Sequence, residues 1–188
     1  MKRPEPTPSE VTAAPAAPRR RAALIGAAAV LAGGAGAWLG LQHQESPAEE
    51  VPALWTQVFD TPDGGELRAA DWRGKPLVLN FWATWCAPCV REFPQLDRFQ
   101  REFGPAGWRL VGLAIDSPTP VRSFLSRQPV SFAIGLAGLS GTDLAKQLGN
   151  EKGGLPFTVL IDARGRLLHR KLGETSFDEL AGWARAMT

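Results

Sequence analysis

Cys86 and Cys89 are the only cysteines of the chain, and they constrain its fold more than any other feature. They directly follow an apolar run, residues 77–82, that is typical of a buried strand. A strand that ends in Cys-X-X-Cys and continues as a helix places the first thiol at the helix N-terminus. Free N–H groups and the helix dipole favour a thiolate there. The second thiol, one turn later, can attack the first sulfur, so the pair can open and close as a disulfide.

Two other uses of the cysteine pair fit the sequence less well. Half of a zinc site would need further ligands, but the chain has no other cysteine, and His43 and His169 are far from metal-ligand spacing. A purely structural disulfide is disfavoured because a bridge that closes so short a loop removes little chain entropy. The sequence therefore favours thiol redox chemistry, and we expect no metal site and no cofactor.

Two segments resemble the motifs of a known family. Residues 81–94 (FWATWCAPCVREFP) resemble the active-site segment of thioredoxin-fold proteins, and the CVREFP end is similar to the TlpA/ResA/CcmG group of membrane-anchored bacterial thiol–disulfide oxidoreductases. Residues 153–162 resemble the cis-proline loop of that family and the strand after it. The resemblance covers about residues 52–188. It implies an α/β thioredoxin fold, in which a mixed central sheet has helices on both faces, with the N-terminal β-hairpin and the central insertion of the TlpA-like group.

The local patterns divide the domain into elements that agree with this fold. Apolar runs and turn residues predict an N-terminal hairpin, a pair of core strands, a short strand and a second hairpin, at residues 55–61, 66–69, 77–83, 109–115, 132–134, 157–162 and 167–172. Helical spacing predicts helices at about 86–103, 118–127, 142–148 and 176–187. Ser176 and Glu179 form a capping-box pattern at the start of the last helix.

The order of the two cysteines predicts their roles. Cys86, at the helix N-terminus, is expected to be the more exposed sulfur and the nucleophile, and Cys89 the resolving thiol of a redox-active Cys86–Cys89 disulfide. Pro88, in the first helical turn, costs no hydrogen bond and stiffens the Ala87-Pro88 loop. By resemblance, a dipeptide that ends in proline goes with reductants.

Other predicted site residues come from the resemblance and from spacing. The resemblance implies that Pro156 follows a cis peptide bond and that Leu155 offers its backbone to the substrate. Trp85 is expected to form part of the partner-binding surface, together with Ala87 and Pro88. Glu92 lies one helical turn beyond Cys89. We expect Glu92 to exchange a proton with Cys89 or to raise the pKa of the thiols, although a solvated helix glutamate is the alternative.

The first fifty residues predict export from the cytoplasm. Residues 1–21 are rich in proline and carry five basic and two acidic side chains, which is typical of a cytoplasmic leader. Residues 22–41 contain no charge and predict a transmembrane anchor. Residues 42–51 form a polar linker to the domain at 52–188. We favour an uncleaved anchor in the bacterial inner membrane with the catalytic domain in the periplasm. A cleaved signal stays open because residues 35–37 fit a signal-peptidase site. Twin-arginine export also stays open because a run of arginines precedes a weakly apolar segment.

The charge of residues 22–188 and the predicted location of the domain indicate which kinds of partner the protein has. Residues 22–188 carry 16 basic and 17 acidic side chains, so nothing indicates a nucleic-acid partner. The predicted function is reduction of disulfides in client proteins. By resemblance, these are apocytochrome c or copper-site proteins, and electrons come from a membrane donor of the DsbD/CcdA kind. A copper chaperone that uses the same cysteines, and a thiol peroxidase, are the alternatives.

Overall fold

The structure, a computed structural model, describes residues 49–187. The predicted leader (1–21), the apolar segment (22–41) and most of the predicted linker lie outside the described residues. Between residues 49 and 187, no helix is long and apolar enough to cross a membrane.

A mixed sheet of eight strands is at the centre of the described residues, with the strand order β1-β8-β7-β4-β5-β6-β2-β3. The strands β4, β5 and β6 are parallel to one another, and every other pair in the sheet is antiparallel. The strands are β1 (Glu49–Glu50), β2 (Val58–Asp60), β3 (Glu66–Arg68), β4 (Leu77–Trp82), β5 (Arg109–Ala114), β6 (Ala133–Leu136), β7 (Phe157–Ile161) and β8 (Arg166–Leu172).

Helices cover both faces of this sheet, as predicted. They are α1 (Pro52–Trp55), α2 (Ala87–Phe103), α3 (Pro118–Arg127), α4 (Ser140–Gln147) and α5 (Phe177–Arg185), with short 3-10 helices at Ala69–Trp72 and Gly104–Ala106. Successive residues of a strand point to opposite faces, so β4 contributes to two separate cores. Val78 and Trp82 pack with α2, α3 and α5, whereas Leu77, Leu79 and Phe81 pack with α1 and α4.

The predicted elements are all present, with differences at their ends. The helix α3 has the predicted bounds. The predicted first strand at 55–61 was partly wrong: Pro52–Trp55 is a helical turn, whose Leu54 and Trp55 are buried, and the strand begins only at Val58. The sheet also begins earlier than residue 52, because Glu49 and Glu50 pair with Leu167 and Arg166 of β8.

The other elements differ from the prediction by one or two residues at their ends. The strand β6 is at Ala133–Leu136 rather than 132–134, and α4 is at Ser140–Gln147 rather than 142–148. The helix α5 ends at Arg185, two residues before the predicted end. The helix α2 starts at Ala87, with Cys86 as its N-cap and Pro94 inside it.

Candidate active site

Cys86 and Cys89 are joined by a disulfide at the N-terminus of α2. Cys86 is the N-cap residue, and its Sγ accepts a hydrogen bond from the Cys89 backbone N–H at 3.3 Å. Cys86 is 6% exposed and Cys89 is fully buried. Cys86 is thus the more accessible residue of the two, and its sulfur lies where helix N–H groups stabilise a negative charge.

The residues between and before the cysteines are the exposed part of this helix end. Trp85 is 69% exposed, Ala87 is exposed and Pro88 is half-buried. Trp82, in contrast, is fully buried and packs against Phe93, with ring centroids 4.4 Å apart. The two tryptophans therefore differ: Trp82 is part of the core, whereas the exposed Trp85 is available to a partner.

Asp116 holds the loop that leads into the cysteines. Its Oδ2 accepts hydrogen bonds from the Thr84 backbone N–H at 2.9 Å and from Thr84 Oγ1 at 2.6 Å. Asp116 follows β5, whose last residue, Ala114, pairs with Trp82 at the end of β4. The sequence analysis missed Asp116, since no local pattern connects it with Thr84.

The cis-proline loop lies at the same edge of the sheet. The Leu155–Pro156 peptide bond is cis, as predicted. Phe157, the next residue, begins β7 and pairs with Phe81 of β4, so the loop is level with the segment that leads to Cys86. The Gly173 N–H donates to the Pro156 carbonyl at 2.8 Å. Pro156 is buried, whereas Leu155 is half-buried.

Glu92 is fully buried on the helix face that also carries Cys89 and Phe93. Its Oε1 accepts a hydrogen bond from Asn80 Nδ2 at 2.7 Å, and its Oε2 accepts one from the Thr175 backbone N–H at 2.7 Å. The alternative prediction, a solvated helix glutamate, is therefore wrong. The Asn80 side chain on β4 and the turn between β8 and α5, which contains Thr175, enclose this carboxyl group.

Burial raises the pKa of Glu92 from the usual 4.5 to about 7. Loss of water penalises the charged carboxylate, and this outweighs the hydrogen bonds from Thr175 and Asn80, which favour the charge. The nearby charges of Glu174 and Lys171 act in opposite directions and are smaller causes. The group can therefore gain or lose a proton near neutral pH.

Asn80 connects Glu92 to a second polar side chain. The same Nδ2 that donates to Glu92 donates to Thr158 Oγ1 at 3.0 Å, and Thr175 Oγ1 donates to Thr158 Oγ1 at 3.4 Å. Asn80 Oδ1 has no hydrogen-bond partner in the part of the chain that the structure describes. Thr158 and Thr175 were not predicted as site residues, because they come from segments far along the chain.

The structure thus brings the predicted site residues to one edge of the sheet, with Glu92 below them on α2. His43 lies outside the described residues, and His169 stacks on Trp183 with ring centroids 4.9 Å apart. Over residues 49–187, no cluster of three or more His, Cys, Asp or Glu side chains could hold a metal ion.

Comparison with known proteins gives consistent matches. The Redoxin family model matches residues 47–182. A thiol-disulfide oxidoreductase ResA from Bacillus cereus is 29% identical over 128 residues, which are 67% of this chain and 71% of ResA. Among solved structures, MTB dsbF is 27% identical with a TM-score of 0.63, over 73% of this chain and 99% of that one. A thioredoxin family thiol:disulfide interchange protein from Chlorobium tepidum TLS is 25% identical with a TM-score of 0.63, over 75% and 98%.

Proposed function

The chain belongs to the Redoxin family, and from this premise we propose that it reduces disulfides of client proteins outside the cytoplasm. It is a thiol–disulfide oxidoreductase with a thioredoxin fold. We propose, in addition, the direction of electron flow, the clients and the compartment.

The proposed reaction has two exchange steps. In the reduced protein, the Cys86 thiolate attacks one sulfur of a client disulfide, so that a mixed disulfide forms and the first client thiolate leaves and takes up a proton. Cys89 then loses its proton and, as a thiolate, attacks the Cys86 sulfur, which breaks the bond between Cys86 and the client; the second client thiolate leaves and takes up a proton. The client gains two electrons, and the protein is left with the Cys86–Cys89 disulfide that the structure contains.

Trp85 and the cis-proline loop would hold the client during these steps. Trp85 is exposed directly before Cys86, and Leu155 precedes the cis bond at the same edge of the sheet. An extended client segment can pair with the backbone at Leu155 as an added strand. Ala87 and Pro88 lie between the two sulfurs and complete this surface.

The buried carboxyl group of Glu92 carries the proposal of a reductant. It lies one helical turn after Cys89 on the same buried helix face, and its pKa is raised to about 7. When it is ionised, its negative charge disfavours thiolates nearby; when it is protonated, it can supply a proton as Cys89 becomes a thiol. Both effects act against an over-stabilised thiolate, which is the feature that makes the corresponding disulfide a strong oxidant.

The proposed location and partners follow from the reaction. A protein that ends each cycle oxidised needs a source of electrons, and we assign this role to a membrane donor of the DsbD/CcdA kind. Residues 22–41 would anchor the chain in the bacterial inner membrane and place residues 52–188 in the periplasm, where disulfides persist. The proposed clients are apocytochrome c or copper-site proteins of cytochrome oxidase assembly.

Trapping of clients tests the proposal directly. In the full-length Cys89→Ser variant, the mixed disulfide should form but not resolve, so client proteins in the cell envelope accumulate as covalent adducts that dithiothreitol releases. The Cys86→Ser variant is the matched control and should trap few clients. Equal trapping by both variants would contradict the assigned roles of the cysteines, stronger trapping by Cys86→Ser would reverse them, and no adduct with either would contradict the proposed reaction.

A further inference from the structure

Two small polar cavities lie at the edge of the sheet opposite to the disulfide. This edge contains the start of β4 and the turn between β7 and β8, because Leu77 pairs with Ile161. The cysteines follow Trp82 at the other end of β4, and the extended strand separates its two ends by about 17 Å. The proposed reaction uses no residue at the edge that carries the cavities.

Each cavity is lined by two basic side chains. Arg73 and Arg164 line the first cavity, which has a volume of about 310 Å³. Lys75 and Arg109 line the second, of about 300 Å³. The two cavities are neighbours, because residues 73–75 contribute to both. Among the described residues no acidic side chain lines either of them, and the exposed Asp71 belongs to neither lining, so both cavities should attract anions.

The four basic groups are available to an anion. Arg73, Lys75 and Arg164 are exposed, and Arg109 is half-buried. Within residues 49–187 none of the four forms an ion pair. The carboxylate in the turn between β7 and β8, that of Asp162, is paired with Arg166 instead. No carboxylate therefore neutralises these four charges by direct contact.

Trp55 orders the first cavity. The guanidinium carbon of Arg73 lies 5.4 Å from the centroid of the indole ring, a distance at which the ring face attracts a cation. On the turn between β7 and β8, a Cβ on Gly165 would lie 3.4 Å from the same ring. Gly165 has a φ of +84°, which favours glycine and permits this close approach. The charge of Arg73 is thus positioned before an anion binds, which lowers the cost of binding.

The first described residues lie at the same edge. Glu49 pairs with Leu167, Leu167 pairs with Ile161, and Ile161 pairs with Leu77, so Glu49 is level with the start of β4. Only seven residues, 42–48, separate Glu49 from the proposed anchor at 22–41, and they can span at most about 25 Å. The edge with the two cavities is therefore within reach of the bilayer that would hold the anchor.

We propose that Arg73, Lys75, Arg109 and Arg164 form a membrane-docking edge, which binds the phosphate groups of anionic phospholipids. This inference rests on the proposed anchor. Guanidinium groups suit phosphate because they can donate two parallel hydrogen bonds to its oxygens. Each Lys or Arg near an anionic lipid surface strengthens binding by about fivefold.

The docking edge would orient the redox site. With this edge on the bilayer, Cys86 lies at the opposite end of β4 and faces away from the lipid, towards clients in the periplasm. Because each charge contributes modestly, the contact is reversible, and the dithiol can still turn towards a membrane donor of electrons.

Modification of arginines by phenylglyoxal, a neutral reagent, tests the docking edge. The full chain is placed in nanodiscs of phosphatidylcholine, or of phosphatidylcholine mixed with the anionic phosphatidylglycerol. Mass spectrometry then gives the rate of modification at each arginine. Arg68 on β3 and Arg122 on α3 are controls within the same chain, because they are exposed and line neither cavity.

The anionic lipid should protect only the docking edge. Arg73 and Arg164 should be modified about three- to tenfold more slowly in the anionic nanodiscs, and high salt should abolish the difference. Arg68 and Arg122 should react at the same rate in both lipids. Arg73→Gln should remove at least half of the protection of Arg164, because one of four charges is lost, whereas the matched control Arg122→Gln should leave it unchanged.

Three results would contradict different parts of this proposal. Equal rates at Arg73 and Arg164 in both lipids, or equal slowing of the control arginines, would show that the docking edge is wrong while the anchor stands. If soluble glycerol phosphate protects the two arginines equally well in phosphatidylcholine nanodiscs, the cavities bind a free anion and the lipid partner is wrong. If the full chain separates from the nanodiscs in gel filtration, the proposed anchor fails and the docking edge fails with it, whereas client trapping tests the redox reaction independently.

Discussion

At the scale of single residues, the raised pKa of Glu92 makes the stability of the fold depend on pH. Its carboxyl group is fully buried and its pKa is raised to about 7, whereas the same group in the unfolded chain ionises near 4.5. Between these two pH values the unfolded chain releases the proton and the folded chain keeps it. The free energy of unfolding should therefore fall as the pH rises from about 4.5 to about 7, by at most about 1.4 kcal/mol per pH unit from this group.

Replacing Glu92 with glutamine isolates this effect. The Glu92→Gln variant should lose the part of the pH dependence that comes from the buried carboxyl group, as measured by urea unfolding of the full chain from pH 4.5 to pH 8. Glu102→Gln is the matched control, because Glu102 is an exposed carboxylate on the same helix and pairs with Arg98. Identical pH profiles for the unaltered chain and Glu92→Gln would contradict a raised pKa.

Asn80 is suited to both protonation states of Glu92. Its Nδ2 donates to a carboxylate, as the structure shows, while its Oδ1 has no partner among the described residues. Reversal of the amide would turn Oδ1 towards Glu92 and Thr158, where it could accept from a protonated carboxyl group and from a hydroxyl. Asn80, which cannot itself titrate, can thus form a hydrogen bond with Glu92 in either protonation state of the carboxyl group.

At the scale of secondary structure, the elements that were predicted best carry their own local signals. The helix α3 begins at Pro118 and has its apolar residues at helical spacing, and its bounds agree with the prediction. The helix α5 begins after Ser176, whose Oγ accepts a hydrogen bond from the Glu179 N–H as a capping residue does. The Glu179 side chain does not complete the capping box, because it pairs with Lys171.

The helical turn α1 shows why other elements were missed. Residues 55–61 were predicted as a strand, but Trp55 belongs to a helical turn and packs against the turn between β7 and β8, where a Cβ on Gly165 would lie 3.4 Å from the indole ring. This burial against a distant segment outweighs the local preference. No pattern within the segment itself indicates it.

Two glycines in helices, Gly141 and Gly182, should respond in opposite ways to replacement with alanine. Gly141 is buried in α4, and a Cβ there would meet the Ala137 Cβ at 2.6 Å. Gly182 is exposed in α5, and a Cβ there would meet nothing within 4 Å. Gly141→Ala should destabilise the protein by about 1–3 kcal/mol through overpacking, whereas Gly182→Ala should stabilise it by about 0.5–1 kcal/mol.

Urea unfolding of the two variants and the unaltered chain measures both changes under one condition. Both substitutions replace glycine with alanine in a helix, so the gain in helix propensity is similar. A difference in sign between the two changes in the free energy of unfolding therefore reports the space around each glycine. A Gly141→Ala variant as stable as Gly182→Ala would show that the turn before α4 is not tightly packed.

At the scale of the whole molecule, the candidate site joins segments that are far apart in sequence. The cysteines, the cis-proline loop and Glu92 were predicted because each has a motif or a spacing that can be recognised locally. Asp116, Thr158 and Thr175 were not, because their roles exist only once β5, β7 and the start of α5 meet at β4 and α2. A hydrogen bond between residues 83 positions apart, as from Thr175 to Glu92, leaves no trace in either segment alone.

The reduction potential of the whole protein decides the direction of electron flow, and we expect it to be low. The sulfur of Cys86 has a helix N-terminus beside it, which stabilises a thiolate, but the buried Glu92 carboxyl group opposes this. Because these two influences on the thiolate oppose each other, we expect the dithiol to be a good electron donor and the potential to lie nearer to about −270 mV, the thioredoxin value, than to about −120 mV, that of DsbA.

Equilibration of the full chain with glutathione or dithiothreitol buffers measures this potential. Glu92→Gln should raise it by about 10–30 mV at pH 8, because a thiolate is then no longer opposed by a nearby charge and each 30 mV corresponds to about 1.4 kcal/mol. Glu102→Gln, again the exposed control, should leave it unchanged. A potential near −120 mV, at the strong-oxidant end of this scale, would reverse the proposed direction, because such a disulfide would pass to clients rather than be formed at their expense.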